Sequence, residues 1–316
     1  MKIVVLEAGV MTPGGLSLKP YEQFGEVTYY HTTKQSEVIE RIGDAEIILM
    51  NKLVIDKQVM DACPNLKYIG LFATGYNTID VKYAAKKGIT VCNAGSYSTT
   101  AVAQHTMALI LNHFNQIANY HNAVKDGAWE KSELTTLYDF PTDEVYGKTI
   151  GIVGYGHIGK RVAQLASAFD MKVLAYTRTP KDDGVAEFVS FEELLCRSDI
   201  ISLHLPLTDE SRLIMNKDTF AKCKKGAFFV NTARGGLVDE PALKEVVESG
   251  HLSGAALDAI TVEPMRNCVL QGVDNIVITP HAAWAPMSTR IKLLNITVDC
   301  IKGWLSGNPI NDVTKL

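Results

Sequence analysis

The sequence has little cysteine and no cysteine motif. Six cysteines are scattered over 316 residues, with no C-x-x-C pair and no histidine at metal-ligand spacing. They are Cys63, Cys92, Cys196, Cys223, Cys268 and Cys300. We therefore predict reduced, mostly buried thiols rather than a disulfide framework, and we predict no metal site.

Long apolar runs and an excess of positive charge are also missing. No stretch approaches the roughly 20 apolar residues of a membrane-spanning helix, and the run from Ile3 to Leu6 is too short for the core of a signal peptide. Lys and Arg total 31 and Asp and Glu total 35, a net charge of -4. This balance argues against nucleic acid or an anionic membrane as the partner. We expect a cytoplasmic protein that acts on a small molecule.

The sequence does contain a glycine fingerprint, G-x-G-x-x-G, between the apolar run Ile150–Val153 and an amphipathic helix pattern. The first glycine of such a motif permits a tight turn, the second lets a pyrophosphate approach the backbone, and the third lets helix and strand pack closely. Unpaired amides and the dipole at the helix N-terminus favour the phosphates. The motif predicts dinucleotide binding, with a tight turn without ligand as the alternative. Its residues are Gly154, Gly156, His157, Ile158 and Gly159.

Short apolar runs alternate with helical patterns along the chain, which predicts parallel sheets covered on both faces. Five runs precede residue 98 and lack a phosphate loop, six more begin at Ile150, and Thr99–Val124 reads as one long helix between the two series. The amphipathic pattern of Ser288–Leu305 should return to complete the first domain. We thus predict an α/β fold of two doubly wound parallel-sheet domains. A Rossmann dinucleotide-binding domain, 99–286, is inserted into a flavodoxin-like substrate domain, 1–98 and 287–316.

Three segments that follow predicted strands of the second domain carry one Arg, one Glu and one His. Ligands bind outside the carboxyl ends of parallel strands, so Arg234, Glu263 and His281 should meet in one crevice. Reduction of a 2-oxo acid needs this set. Arg binds the carboxylate and polarises the ketone, His donates a proton near neutral pH, and a carboxylate keeps the imidazole oriented and protonated. The hydride would come from a nicotinamide.

With these motifs in order, the sequence resembles the D-isomer-specific 2-hydroxyacid dehydrogenases over essentially its whole length. The resemblance implies that Arg234 binds and polarises the substrate, that His281 is the acid/base, and that Glu263 is its partner. The sequence is most similar to the glycerate dehydrogenase (hydroxypyruvate reductase) branch. The stretches that carry the resemblance are the glycine fingerprint, Val230–Gly235, Asp258 with Glu263-Pro264, Pro280-His281, Ala73–Asn77, Asn51-Lys52, Val102–Gln104 and His281–Trp284.

The same resemblance implies binding residues outside the triad. Thr74 and Gly75 would offer backbone N–H groups to the substrate carboxylate. Lys52 would add a positive charge, with a solvated surface lysine as the alternative. The residues that would line the cofactor groove are His204, Pro206, Thr232, Ala233, Asp258 and Trp284. His204 could instead satisfy a buried backbone group, and Trp284 could serve in interdomain packing.

One position departs from the NAD-preferring members of the family. Those members carry an acidic residue at the end of the second strand, where it binds the ribose 2′-hydroxyl. Here Thr177 occupies that position and Arg178 follows it. Without the carboxylate a 2′-phosphate is not repelled, and Arg178 can pair with it. We therefore predict that NADP is accepted, with an Arg178 that points to solvent as the alternative.

The resemblance implies an enzyme that reduces hydroxypyruvate or glyoxylate with NAD(P)H, and a homodimer formed through the cofactor domain and the helix Thr99–Val124. The pocket for the substrate's tail would be built by the first domain and by the partner's residues 128–144. Two alternatives stay open. One is the same chemistry on a bulkier 2-oxo acid. The other is a nicotinamide-sensing binding protein, because a corepressor family has the same fold and triad; its members usually carry extra terminal segments, so we expect an enzyme.

Overall fold

The computed structural model describes residues 1–181 and 183–315, which form two compact units. The first unit comprises 1–98 and 285–316, of which Leu316 lies outside the described residues, and the second comprises 99–284. Within the described part of the chain, no helix combines the length and the apolar character needed to cross a membrane.

The first unit is built on a parallel sheet whose strand order is β2-β1-β3-β4-β5, the flavodoxin-like order. Its strands are β1 (Lys2–Val5), β2 (Glu26–Tyr29), β3 (Ile47–Met50), β4 (Tyr68–Leu71) and β5 (Thr90–Cys92). Strands β3 and β4, which are neighbours inside this sheet, are buried at every position, as a sheet covered on both faces requires. Its helices are α1 (Val38–Ile42), α2 (Lys57–Ala62), α3 (Val81–Lys87) and the C-terminal α10 (Met287–Leu305).

Helix α10 returns to the first sheet, as its amphipathic pattern predicts. The Trp304 ring lies 5.1 Å from that of Tyr68 on β4, and the buried Thr297 hydroxyl lies 2.6 Å from Tyr21 Oη. The helix therefore finds a partner for its apolar face inside the first unit.

The second unit contains a seven-stranded parallel sheet. Its strands are β6 (Thr149–Val153), β7 (Lys172–Tyr176), β8 (Glu187–Phe188), β9 (Ile200–Leu203), β10 (Ala227–Asn231), β11 (Leu252–Leu257) and β12 (Ile276–Ile278). The order β12-β11-β10-β9-β6-β7-β8 is the Rossmann order extended by one strand. It reverses between β6 and β9, the point at which such sheets bind ligands. Its helices are α4 (Thr99–Asn115), α5 (Ile117–Lys125), α6 (His157–Ala168), α7 (Phe191–Arg197), α8 (Lys217–Ala221) and α9 (Glu240–Glu248).

Neighbouring residues of these strands enter two different cores. On β10, Phe228 packs into one cluster and Phe229 into the other, and Ile152 and Val153 of β6 divide in the same way. Both faces of the sheet are thus buried, which confirms the predicted doubly wound arrangement.

Two details of the prediction were wrong. The second series has seven strands rather than six, because β8 is a two-residue edge strand that is too short to give an apolar run. The predicted helix Thr99–Val124 is two helices, because Gln116 adopts a left-handed conformation with φ 52° between α4 and α5. Its side-chain amide donates to the His113 carbonyl at 2.8 Å, which satisfies the end of α4.

Candidate active site

The glycine loop between β6 and α6 has the geometry that its sequence predicts. Gly154 has φ 98°, and a Cβ there would lie 2.7 Å from the backbone of His204. A Cβ on Gly159 would lie 2.1 Å from the Gly154 carbonyl oxygen. Among the described residues, a Cβ on Gly156 would meet nothing within 4 Å apart from its two chain neighbours. The protein itself therefore requires the first and third glycines, whereas the second leaves the backbone accessible to a ligand.

Helix α6 begins at His157 with Gly156 as its N-cap. The first amides of a helix have no partner within it, and those of His157, Ile158 and Gly159 occupy this first turn. Gly156 has no side chain that could accept from them. This loop and helix end fit the pyrophosphate of a dinucleotide, which the amides and the helix dipole would stabilise.

The segment after β7 carries Thr177 and Arg178. It begins beside the glycine loop, because the Gly154 N–H donates to the Tyr176 carbonyl at 2.9 Å. Thr177 is half-buried and Arg178 is exposed. No motif in the sequence indicated Asp183 in the same segment, yet its carboxylate lies 3.0 Å from Lys160 Nζ on α6. The bond from this ammonium holds the pKa of Asp183 below its usual value.

His204 and Pro206 follow β9. The Nε2 of His204 lies 2.8 Å from the hydroxyl of the buried Ser202. Burial lowers the pKa of His204 to about 3, so its imidazole is neutral at physiological pH. Pro206 is exposed, and its carbonyl accepts from the Ser211 hydroxyl at 2.8 Å.

The turn after β10 presents Arg234. The side chain of the fully buried Asn231 shapes this turn, since its Oδ1 accepts from the Ala233 N–H at 3.0 Å and its Nδ2 donates to the Arg234 carbonyl at 2.9 Å. Thr232 is tied to α4 through a 3.0 Å contact between its hydroxyl and that of Thr106. The exposed Arg234 guanidinium donates to the Ala233 carbonyl at 2.8 Å.

Glu263 and His281 form a hydrogen-bonded pair. Nδ1 of His281 lies 2.7 Å from Oε2 of Glu263, and both side chains are partly accessible. The other oxygen, Oε1, accepts from the Ile260 N–H at 3.3 Å. A carboxylate in this position fixes the orientation of the ring. With Nδ1 bonded to Glu263, Nε2 is the nitrogen that His281 would present to a substrate.

Asp258 anchors the turn that carries His281. Its carboxylate is 2 % exposed. Oδ1 accepts from the Thr279 hydroxyl at 2.6 Å and from the Ala282 N–H at 2.8 Å, and Oδ2 accepts from the Ala283 N–H at 2.9 Å. These contacts place Asp258 behind the turn that carries His281, and its expected contact with the cofactor stays a prediction. Trp284, the last residue of the second unit, is half-buried.

Gly235 brings the Arg234 turn against the Glu263 turn. A Cβ on Gly235 would lie 2.0 Å from the carbonyl carbon of Ile260 and 2.4 Å from the Thr261 nitrogen. The two turns are therefore in direct backbone contact. The second unit thus gathers Arg234, Glu263 and His281 at the carboxyl ends of β10, β11 and β12.

The residues expected to bind the substrate carboxylate lie in the first unit, after β3 and β4. Glu7 Oε2 accepts from the N–H groups of Asn51 and Lys52 at 2.6 and 2.9 Å. Lys52 and Thr74 are exposed and Gly75 is half-buried. Glu7 thus shapes the Lys52 turn, although no motif in the sequence indicated it.

Comparison with known proteins identifies the family. Residues 107–283 match the model of the D-isomer specific 2-hydroxyacid dehydrogenase, NAD binding domain. Over the full length of both chains, the sequence is 40% identical to a hydroxypyruvate reductase of Blautia hydrogenotrophica. The chain belongs to the D-isomer-specific 2-hydroxyacid dehydrogenases.

Further similarities agree with this assignment. A glycerate dehydrogenase of Methylorubrum extorquens is 36% identical over 288 residues, 90% of each chain. The solved structure of an NADPH-dependent glyoxylate/hydroxypyruvate reductase from Sinorhizobium meliloti, in complex with citrate, has a TM-score of 0.84 and 25% identity and covers 99% of this chain and 97% of that one. This dehydrogenase is an oxidoreductase that uses NAD or NADP.

The described residues of this dehydrogenase include no group of three or more His, Cys, Asp or Glu side chains placed to hold a metal ion. All six cysteines are free thiols, and Cys63, Cys92, Cys223 and Cys300 are buried.

Proposed function

We propose that this dehydrogenase reduces hydroxypyruvate or glyoxylate to the corresponding 2-hydroxy acid, D-glycerate or glycolate, with NADH or NADPH. The observation that carries the proposal is the 2.7 Å contact between His281 Nδ1 and Glu263 Oε2 next to the Arg234 turn. The hydroxypyruvate reductase and glycerate dehydrogenase activities of the relatives support the choice of substrate.

The roles follow from the chemistry of the three side chains. Arg234 binds the carboxylate and polarises the carbonyl through its fixed fork of donors. A nicotinamide cofactor, when bound, would supply the hydride for C2 of the oxo acid. His281 donates the proton from Nε2 to the carbonyl oxygen, and Glu263 orients the ring for this transfer through its bond to Nδ1. The reverse reaction uses neutral His281 as the base.

Thr74, Gly75 and Lys52 are the substrate-binding residues that we assign to the first unit. Backbone N–H groups of Thr74 and Gly75 would bind the carboxylate, and the Lys52 ammonium would add positive charge. The fixed Lys52 turn supports this assignment, because a binding residue must be held in place by its neighbours.

For the cofactor, we assign the pyrophosphate to the first turn of α6 and the remainder of the groove to the segments after β7, β9, β10, β11 and β12. The residues of these segments are Thr177, Arg178, His204, Pro206, Thr232, Ala233, Asp258 and Trp284. The exposed Arg178, which follows a threonine instead of a carboxylate, favours acceptance of NADP.

We also assign a cytoplasmic homodimer. Large apolar side chains of the second unit are exposed along residues 117–138, and Tyr138 is 78% exposed. Exposed apolar surface of this kind is typical of an interface between subunits. The free thiols agree with a reducing compartment. The other large exposed side chains of this segment are Ile117, Val124, Trp129 and Leu134.

The experiment follows nicotinamide absorbance with hydroxypyruvate, glyoxylate and pyruvate, each with NADH and with NADPH. We expect turnover of hydroxypyruvate or glyoxylate and production of the D-isomer from hydroxypyruvate, checked by chiral chromatography. Faster turnover of pyruvate would change the assigned substrate and keep the mechanism. Cofactor binding without turnover of any 2-oxo acid would contradict the proposal and favour a nicotinamide sensor.

A further inference from the structure

His105 lies on α4, far in sequence from residues 279–283, the turn that carries His281 and is called the catalytic turn below, yet it contacts that turn. Its Nε2 is 3.1 Å from the Thr279 hydroxyl and 3.6 Å from Asp258 Oδ1. The histidine and Thr279 are 174 residues apart in the chain. Both belong to the second unit, so the contact is made within one compact body.

The direction of each hydrogen bond can be assigned. An ionised carboxylate only accepts, so the Thr279 hydroxyl gives its single hydrogen to Asp258 Oδ1 at 2.6 Å. Since this hydroxyl has no second hydrogen to donate, Thr279 Oγ1 can only accept from His105. His105 must therefore carry a proton on Nε2. A continuous chain therefore runs from the His105 N–H through the Thr279 hydroxyl to the Asp258 carboxylate.

This chain ends at the backbone around His281. The His281 N–H donates to the Thr279 carbonyl at 2.9 Å, which closes a three-residue turn centred on Pro280. The next two amides, those of Ala282 and Ala283, donate to the Asp258 carboxylate. His281 itself has φ 53°, a left-handed conformation that is unfavourable for a non-glycine residue and persists only where the surroundings impose it.

We propose that His105 is a positioning residue for His281, acting through Thr279 and Asp258. The relay fixes the left-handed turn and thereby the direction in which the His281 imidazole leaves the backbone. The inference rests on the proposed function, in which His281 is the proton donor. An imidazole displaced by about 1 Å can cost up to about 10²-fold in rate, so the effect of losing the relay should appear in kcat.

The test compares three substitutions at His105 and Thr279. His105→Leu and Thr279→Val remove the relay, and we expect each to lower kcat about tenfold, with the KM values for oxo acid and cofactor changed less than about twofold. His105→Gln keeps an N–H at the position of Nε2, so it should restore most of kcat. The double variant His105→Leu/Thr279→Val should be no slower than either single variant, because the two residues act as one unit.

A second readout does not depend on turnover. Hydrogen exchange measured by mass spectrometry should show faster exchange of the Ala282 and Ala283 amides in His105→Leu, since the Asp258 anchor loosens. Wild-type-like exchange together with wild-type kcat in that variant would overturn the inference. If the wild type reduces no 2-oxo acid, the proposed substrate fails and the exchange measurement alone decides on the relay.

His113 provides a matched control on the same helix. Its Nε2 lies 3.1 Å from the hydroxyl of Ser253, the same distance as that from His105 Nε2 to the Thr279 hydroxyl. Ser253, however, lies on β11 and not in the catalytic turn. We expect His113→Leu to lower the stability of the protein without changing kcat or the exchange of the Ala282 amide. Equal losses of kcat in His105→Leu and His113→Leu would mean that both histidines only stabilise the helix and would contradict the positioning role.

Discussion

The α-carbon of Gly235 lies so close to Ile260 that a Cβ on the glycine would be 2.0 Å from the Ile260 carbonyl carbon. The N–H of the same Ile260 donates to Glu263 Oε1 at 3.3 Å. A glycine beside Arg234 therefore determines where the partner of His281 lies. The contact is between two backbones, so neither side can yield by a change of rotamer.

The first prediction concerns this contact. Gly235→Ala should force the Arg234 and Glu263 turns apart and lower kcat/KM by about 10²-fold, the size of effect that follows a displacement of about 1 Å. Gly236→Ala is the matched control, because its Cβ would meet the flexible end of Leu207 at 2.9 Å. Steady-state kinetics and thermal melting of both variants check the prediction. Gly235→Ala with wild-type kinetics would show that the two turns do not depend on each other.

The second prediction concerns His281, the proposed proton donor. His281→Ala should lower kcat by about 10²–10⁴-fold, the usual contribution of a positioned acid. Arg234→Ala should raise KM for the oxo acid as well as lower kcat, because its guanidinium binds the carboxylate and polarises the carbonyl. The split between kcat and KM in the two variants therefore distinguishes the roles. Near-full activity of His281→Ala would show that another group donates the proton.

The sequence could predict what short motifs encode. The glycine loop, the Arg234 block and the Glu263 and His281 segments each follow an apolar run, so the carboxyl ends of parallel strands had to bring them together. The hydrogen-bond relay that begins at His105 could not be predicted from the sequence. A histidine on an amphipathic helix pattern gives no indication of a contact with Thr279, 174 residues away, because that contact is decided by the packing of α4.

Local conformation explains the two errors in the fold. The apolar period of α4 continues into α5, so periodicity alone could not locate the left-handed Gln116 between them. Strand β8 has only Glu187 and Phe188, and its pairing with β7 depends on the path of the preceding segment. Neither feature leaves an apolar pattern in the sequence.

The third prediction concerns the choice of cofactor. Arg178→Gln should lower kcat/KM for NADPH about 10–100-fold, the loss expected for one charged hydrogen bond of about 1.5–3 kcal/mol, and leave NADH within about twofold. Thr177→Asp should shift the preference toward NADH, because the new carboxylate repels a 2′-phosphate and accepts from a ribose hydroxyl. Kinetics with both cofactors measure the ratio. Equal losses for the two cofactors in Arg178→Gln would place this side chain away from the 2′-position.

The last prediction concerns stability against pH. His113 stacks on Phe228 with ring centroids 3.8 Å apart, and burial lowers its pKa to about 4. An unfolded histidine has a pKa of about 6.5, so the unfolded chain binds more protons between these two values. The stability that this neutral ring contributes is therefore complete above about pH 6.5 and is lost as the pH falls toward 4.

Between pH 7 and pH 5 this group alone should remove about 2 kcal/mol from the free energy of unfolding, since one pH unit corresponds to about 1.4 kcal/mol. His113→Phe keeps the aromatic stack and removes the titration. The free energy of unfolding of this variant should therefore fall by about 2 kcal/mol less than that of the wild type between pH 7 and pH 5. Urea denaturation of both proteins at the two pH values measures the difference. His204, whose pKa is also lowered by burial, contributes equally to both proteins and cancels in the comparison. Parallel losses in the wild type and His113→Phe would mean that His113 is protonated in the folded protein at pH 5.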